Sequence, residues 1–220
     1  MSWKKELFEN FKLYAVTDLR DENESILTQI EAVYRGGADI VQLRSKTVPD
    51  AALLRLGQKI RAIADRMQKL FFVNDRPDLA LAVKADGVHL GQDDLPVNIV
   101  RKMAAQAGSP FFIGKSTHSI EQARAAVAEG PDYIGAGPVF ETPTKPGYRP
   151  AGLEYIGRVS REIHIPFVAI GGINAVNARQ VLEAGARRLA VVRAVFEGEN
   201  NEQRTRELRS QIEAYERCPA

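Results

Sequence analysis

The feature that most constrains this chain is an alternation that never breaks. Short runs rich in β-branched and aromatic residues recur along it: "KLYAVTD", "DIVQLRSK", "LFFVND", "DGVHLG", "FFIGKST", "YIGAGPVF", "PFVAIGG" and "RLAVVRA". Between and after them lie longer stretches of helical period: "SILTQIEAVYRGG", "PDAALLRLGQKIRAIADRM", "RPDLALAVK", "PVNIVRKMAAQAG", "IEQARAAVAEG", "GLEYIGRVSREI", "NAVNARQVLEAG" and "NEQRTRELRSQIEAYE". Eight βα units are the number that closes a parallel sheet on itself with helices outside. The expectation is therefore an α/β chain folded as a (β/α)8 TIM barrel, one domain over residues 1–220. An open doubly wound sheet usually carries Gly-x-Gly-x-x-Gly after its first strand, whereas this first strand runs into "VTDLRDE".

Composition narrows the partners. With 30 basic and 28 acidic residues the net charge is +2, a mixed surface rather than the basic stripe of a nucleic-acid binder. The single cysteine, Cys218, excludes an intrachain disulfide and a cysteine-rich zinc site. The start, "MSWKKELFENF", has charges where a secretion signal needs its apolar centre, and no stretch has the apolar length of a membrane span. The expected setting is cytoplasmic, with small molecules as partners and neither nucleic acid nor membrane.

A parallel barrel builds its active site at the C-terminal strand ends. In this sequence those ends read Thr17-Asp18, Gln42-Leu43-Arg44-Ser45-Lys46, Asn74-Asp75, Gly91 to Asp94, Ser116 to His118, Thr142 to Lys145, Gly171-Gly172 and Val192-Arg193. Polar residues and glycines recurring at one rim suit an anionic ligand. Arg44 and Lys46, two apart on an extended strand, share a face and can divide a diphosphate between a guanidinium fork and a compact ammonium. Asp75 and Asp94 end consecutive strands, and two hard oxygen donors beside phosphates suit Mg²⁺, which takes few protein ligands. The plainer reading of each aspartate is a helix cap before Pro77 or Pro96, with Asp93 and Asp78 as further cap candidates.

The loop "TPTKPGYRP" has the composition of a lid that carries Lys145 and two threonine hydroxyls to a ligand. The glycines of "AIGGIN" fall after the seventh strand and "VVRAV" is the eighth, the pair of loops that commonly binds phosphate through backbone amides. Gly172 is expected to let that phosphate approach closely. His89 and His164 read as packing or surface residues, and His118 stays open between the two kinds of role.

Taken together, "YAVTD", "VQLRSK", "FVNDRPDLA", "ADGVHLGQDDLP", "IGKSTHS", "DYIGAGPVFETPTKP", "VAIGGIN" and "AVVRAV" resemble the thiamine-phosphate synthase family, in order, from about Leu13 to Phe196. The resemblance implies a (β/α)8 barrel, usually a homodimer, that joins a hydroxymethylpyrimidine diphosphate to a thiazole phosphate and releases diphosphate with Mg²⁺. It implies that Gln42, Leu43, Arg44, Ser45 and Lys46 form a pyrimidine-diphosphate segment joined by Asn74, Ser116 and Lys145. Arg44, Lys46, Ser116 and Lys145 are then the catalytic group, and Asp75 and Asp94 hold Mg²⁺. Thr142, Pro143 and Thr144, with the backbone around Gly172, Val192 and Arg193, take the thiazole phosphate.

Two positions depart from the family pattern: Arg193 stands where a serine is frequent, and Lys115 where an apolar residue is common. Alternation turns Lys115 away from Ser116, toward the periphery. The related thiazole tautomerases share "VFET" and "AIGG", but typically lack both aspartate motifs and carry their catalytic histidine where this chain has Pro138. A non-catalytic phosphate-binding barrel predicts loss of Lys145 or of an aspartate, and all are present.

Overall fold

The computed structural model describes residues 3–107, 110–142, 147 and 149–217. Eight parallel strands close in sequential order, β1 pairing with both β2 and β8. They are β1 (Leu13–Val16), β2 (Ile40–Leu43), β3 (Leu70–Asn74) and β4 (Gly87–Leu90), then β5 (Phe112–Thr117), β6 (Tyr133–Ala136), β7 (Phe167–Ile170) and β8 (Leu189–Val191). The helices of the first half are α1 (Trp3–Asn10), α2 (Ser25–Arg35), α3 (Asp50–Met67), α4 (Pro77–Ala82) and α5 (Val97–Ala107). Those of the second half are α6 (Ile120–Glu129), α7 (Gly152–Glu162), α8 (Ala178–Glu183), α9 (Arg193–Phe196) and α10 (Asn201–Arg217). The expected TIM barrel is present, and no helix among the described residues is long and apolar enough to cross a membrane.

Alternation along each strand divides the apolar residues between two cores. Leu13, Ala15, Val41, Leu43, Phe71 and Val73 face outward, against the helices. Tyr14, Val16, Ile40, Leu70, Phe72 and Tyr133 face inward and fill the barrel. The inner core has a floor that strand and helix periodicity alone does not predict. Helix α1 crosses the N-terminal end of the barrel, Phe8 stacks on Phe112 with ring centroids 3.9 Å apart, and Phe11 meets Tyr14 and Tyr133 edge-on. The other addition to the simple alternation is α9, a single turn between β8 and α10.

A brace at this floor repeats three times. Asp39, Asp86 and Asp132 immediately precede β2, β4 and β6 or their first residue, in the contexts "GADI", "KADGV" and "GPDYI". Each donates its amide to a carbonyl at the start of the neighbouring odd strand: Leu13, Phe71 and Ile113 respectively. Each then accepts the amide of that same residue on its carboxylate, at 3.2, 2.9 and 2.7 Å. An arginine from a helix neutralises every one: Arg209 of α10 at 2.6 Å, Arg61 of α3 at 2.6 Å and Arg101 of α5 at 2.9 Å. Before β8 the corresponding residue is Arg188, which instead donates to the Glu9 carbonyl and lies over the Phe11 ring.

The Asp86–Arg61 pair is the most enclosed of the three, with side chains 4% and 10% exposed. Removing Asp86 leaves Arg61 buried with only the exposed Asp65, 2.8 Å away, as counter-charge. Asp86→Ala should therefore lower unfolding stability by about 3–5 kcal/mol, read as a fall in urea midpoint, with the rim chemistry left in place.

Candidate active site

At the C-terminal end the barrel opens into a pocket of about 440 Å³, a size suited to a small organic ligand. One wall carries Tyr14, Gln42, Arg44, Asn74, His89 and Ser116 from β1 to β5, and the other carries Thr142, Gly172, Val192 and Arg193 from the loops after β6 to β8. Pyrimidine-side and phosphate-side residues expected from sequence thus face one cavity.

Asn74-Asp75 does more than end a strand. In the sheet register Asn74 lies opposite His89, and the Asp75 amide still bonds the His89 carbonyl at 2.8 Å. The chain then reverses within three residues, Arg76 N–H donating to the Asn74 carbonyl at 2.8 Å while Asp75 takes φ 60°. A left-handed φ in a non-glycine residue costs on the order of 1–3 kcal/mol and persists only where its surroundings enforce it. The cap reading of Asp75 fails, because Arg76 is the N-cap of α4 and that cap has no side-chain hydrogen bond. Asp78 is not a cap either: it lies in the first turn of α4 and pairs with Arg76 at 2.7 Å.

The turn aims the Asp75 carboxylate at the loop after β4. There Asp94 accepts the Gly91 amide at 2.5 Å, and a methyl group at Gly91 would stand 2.9 Å from Asp94 Oδ2 and 4.0 Å from Asp75 Oδ1. Two carboxylates so close do not ionise independently. Desolvation opposes charge on Asp75, but hydrogen bonds from Lys46 and with Asp94 outweigh it and hold Asp75 below the usual carboxylate range. Desolvation and the Asp75 charge push Asp94 above that range. The pair therefore titrates as a unit, with Asp94 the easier of the two to protonate. Lys46 Nζ already sits 2.5 Å from Asp75 Oδ2, a cation placed on the carboxylate.

Arg44 is ion-paired with Asp18, and its side chain is only 12% exposed at the pocket wall. Its backbone amide is fixed by Thr17 Oγ1 at 2.9 Å, so the guanidinium projects from a rigid strand end. Gln42 lies deeper, donating to the Tyr14 hydroxyl at 2.7 Å. Arg193 reaches the pocket while pairing with Glu197 at 2.6 Å. His118, on the same rim, places Nδ1 2.5 Å from the Gly137 carbonyl.

The structure adds to four of the expectations. Leu43 turns outward into the helix-facing core, so its side chain is not at the pocket. The Ser45 hydroxyl donates to the Leu19 carbonyl at 2.8 Å and accepts the Thr47 and Val48 amides, a turn-forming role. Glycine at 172, with φ 67°, is demanded by the adjoining loop: a methyl group there would lie 2.7 Å from both the Glu141 carbonyl oxygen and Phe140 Cβ. Lys115 does point away from Ser116, but it is buried beneath α6, 3.9 Å from Glu129, rather than peripheral. Pro143, Thr144 and Lys145 lie outside the described residues.

Sequence reasoning passed over the residues at the pocket's centre. His89 faces inward from β4, its ring nitrogens 2.9 Å from Tyr133 Oη and 2.9 Å from Ser116 Oγ. The signal was present in "GVHL": Val88 and Leu90 belong to the outer core, so the residue between them points in.

The family model for thiamine monophosphate synthase matches residues 13–195. A thiamine-phosphate synthase of Nostoc punctiforme is 46% identical over 201 residues, 91% of this chain and 56% of that protein, so the chain spans little more than half of this relative. A thiamine-phosphate synthase of Thermus thermophilus is 46% identical over 190 residues, 86% of this chain and 90% of its own length. Among solved structures, thiamine phosphate pyrophosphorylase from Pyrococcus furiosus superposes with a TM-score of 0.84 at 40% identity, covering 93% of this chain and 96% of that one. The rim geometry, the family match and these relatives agree, and the chain belongs to the thiamine monophosphate synthase family.

Proposed function

We propose that the protein is a thiamine phosphate synthase. It joins 4-amino-2-methyl-5-(diphosphooxymethyl)pyrimidine to 4-methyl-5-(2-phosphooxyethyl)thiazole, giving thiamine phosphate and diphosphate in thiamine biosynthesis. The observation that carries this reading is the Asp75–Asp94 pair directly after Asn74, which lines the pocket together with Arg44. The same proposal includes a homodimer in the cytoplasm, supported by the family resemblance alone.

The donor set fits Mg²⁺. Two hard carboxylate oxygens converge, each raising the cost of charge on the other, which a divalent cation would relieve, and a lysine ammonium already lies against Asp75 as a counter-charge. Among the described residues no cluster of three or more His, Cys, Asp or Glu side chains could hold a metal, which suits an ion that completes its shell with water and phosphate oxygens. When bound, Mg²⁺ would supply charge neutralisation to the diphosphate.

This chain's residues supply the remainder. Arg44 and Lys46 exchange their contacts with Asp18 and Asp75 for the oxygens of the diphosphate, stabilising charge as the C–O bond breaks. The aminopyrimidine pushes electron density toward its exocyclic methylene, so the cation left behind is stabilised and the thiazole nitrogen captures it. Gln42, Asn74 and the inner aromatic wall hold the ring. Thr142, Thr144 and the backbone at Gly172, Val192 and Arg193 hold the thiazole phosphate, with Lys145 from the same loop meeting the leaving group. No nucleophile and base triad is required, and Pro138 argues against the tautomerase alternative.

Mixing the purified protein with both substrates and Mg²⁺ should yield thiamine phosphate and diphosphate in equal amounts; binding of each substrate without product would refute the synthase reading. Asp75→Asn and Asp94→Asn should each keep the fold by circular dichroism while losing Mg²⁺-dependent turnover. Arg44→Met should lower kcat/KM by about a hundredfold or more, as loss of one aimed donor does elsewhere. Because a proton and the metal compete for Asp94, whose carboxyl is raised, Mg²⁺ affinity should weaken as pH falls through the Asp94 titration, at a pH above that of an ordinary carboxylate. Calorimetric titration across pH checks this, with Asp94→Asn removing the dependence.

A further inference from the structure

The pocket does not stop at the loops after β7 and β8. Beyond Val192 its wall continues through Arg193 and Glu197 to Arg204, from the first turn of α10. Arg193 Nε donates to Glu197 Oε1 at 2.6 Å, an i,i+4 ion pair that alone is ordinary surface chemistry. Two further guanidinium groups set it apart. Glu197 is held below the usual carboxylate range by the Arg193 hydrogen bond first, which outweighs desolvation, and then by the charges of Arg193, Arg20 and Arg204. Arg20 comes from the loop after β1, so three arginines from three separate segments surround one carboxylate.

The two further arginines are not absorbed by the fold. Among the described residues neither the Arg20 nor the Arg204 guanidinium has a hydrogen bond or an ion pair. Their neighbours along α10 differ: Arg206 pairs with Glu202 at 2.5 Å and Arg209 with Asp39 at 2.6 Å. Three guanidinium groups against one carboxylate leave the cluster with two uncompensated positive charges, at the open end of a pocket that also holds the phosphate loops.

The backbone fixes where Arg204 starts. The chain leaves α9 through two left-handed residues, Gly198 at φ 84° and Asn200 at φ 61°, and Asn201 Nδ2 donates to the Val195 carbonyl at 2.7 Å. That turn folds the start of α10 back against α9. Thr205, beside Arg204, is fully buried, and α10 approaches α2 so closely that a methyl group at Gly36 would stand 2.5 Å from Thr205 Cβ. A methyl group at Gly198 would lie 3.0 Å from Arg204 Nη2, so the guanidinium rests against a bare turn. The stem of this side chain is anchored while its donors stay available to an anion.

We propose that Arg204, with the side chains of Arg193 and Arg20, forms a second anion subsite beside the phosphate loops, which takes the terminal phosphate of a diphosphate ester. The inference rests on the synthase reading, under which the backbone at Gly172, Val192 and Arg193 holds the monophosphate of the thiazole. A second phosphate continuing outward from the first meets guanidinium forks, whose paired N–H donors match its oxygens. The ligand is then thiamine diphosphate, the diphosphate homologue of the product, which occupies the thiazole phosphate site and slows the reaction. Glu197 is the internal competitor: it holds Arg193 until the terminal phosphate displaces it.

Calorimetry of the full chain with thiamine phosphate and with thiamine diphosphate tests the subsite, in the absence of Mg²⁺, which would chelate the diphosphate. The diphosphate should bind at least about tenfold more tightly, the worth of one charge-assisted hydrogen bond. Arg204→Gln should abolish that preference, and Glu197→Gln, which removes the competing charge, should enlarge it. Arg206→Gln removes the same charge from the same helix and should keep the preference, as should Arg44→Met at the leaving-group end. Equal affinity for the two esters, or binding of neither, overturns the proposal. So does a preference that survives Arg204→Gln, and so does one that Arg44→Met removes, which would seat the diphosphate at Arg44 instead. The comparison needs no turnover: equal affinities with thiamine phosphate still bound defeat this inference alone, whereas failure of the synthase reading shows as absence of product.

Discussion

Closure of β1 onto β8 is the constraint on which the rest depends. Once eight parallel strands complete a circle, every C-terminal end lies on one rim, and residues far apart in sequence become neighbours without any loop having to find them. The pairing of Asn74 with His89 is one consequence: it fixes where β3 ends relative to β4 and sets Asp75 beside the Asp94 loop. The opposite rim supplies the matching rigidity. There Asp39, Asp86 and Asp132 each lock an even strand to the odd strand before it, and an arginine from a surrounding helix ties each lock to the outer layer. Helix α1 closes what would otherwise be an open floor of aromatic rings.

That rigidity holds a mouth that is costly on its own. Asp75 has a left-handed backbone, and its carboxylate is pressed against a second acid. Neither feature improves the fold, and each suits the proposed metal-binding rim: the turn aims the oxygen, and a divalent cation would relieve the crowding of two acids. Arg44 and Lys46 are paired with Asp18 and Asp75, which would hold the two cations near the positions the proposed reaction needs. On this account catalysis is placement of charge around a leaving group, with no side chain forming a covalent bond.

The strand order and most helices were legible in the sequence because hydrophobic period and turn residues are local properties, and here they agree along the chain. Arg44, Asn74 and Ser116 were legible as rim residues because strand ends are easily recognised. Inward and outward placement was the harder matter. Leu43 sits in a polar run at a strand end, yet one step of alternation sends it to the helix side, and Ser45 is absorbed by its own turn. His89 was read as packing because its partners come from β5 and β6, about 27 and 44 residues away, and no local pattern announces them. Helix α1 escaped the periodicity argument because its Phe8, with Phe11 just beyond it, serves the barrel interior rather than a helix-facing layer. The aspartate braces went unread in the sequence, because their meaning depends on arginines from three different helices.

The claim on which the account turns is that Asp75 and Asp94 together hold a divalent cation against a diphosphate. Crystals grown with Mn²⁺ and inorganic diphosphate, measured at the manganese absorption edge, address it directly, since Mn²⁺ takes the oxygen ligands of Mg²⁺ and scatters anomalously. The account predicts one anomalous peak in contact with both carboxylates and with diphosphate oxygens, and with Lys46 moved off Asp75. Diphosphate bound in the pocket with no peak at those two carboxylates, or with manganese held elsewhere, would contradict it.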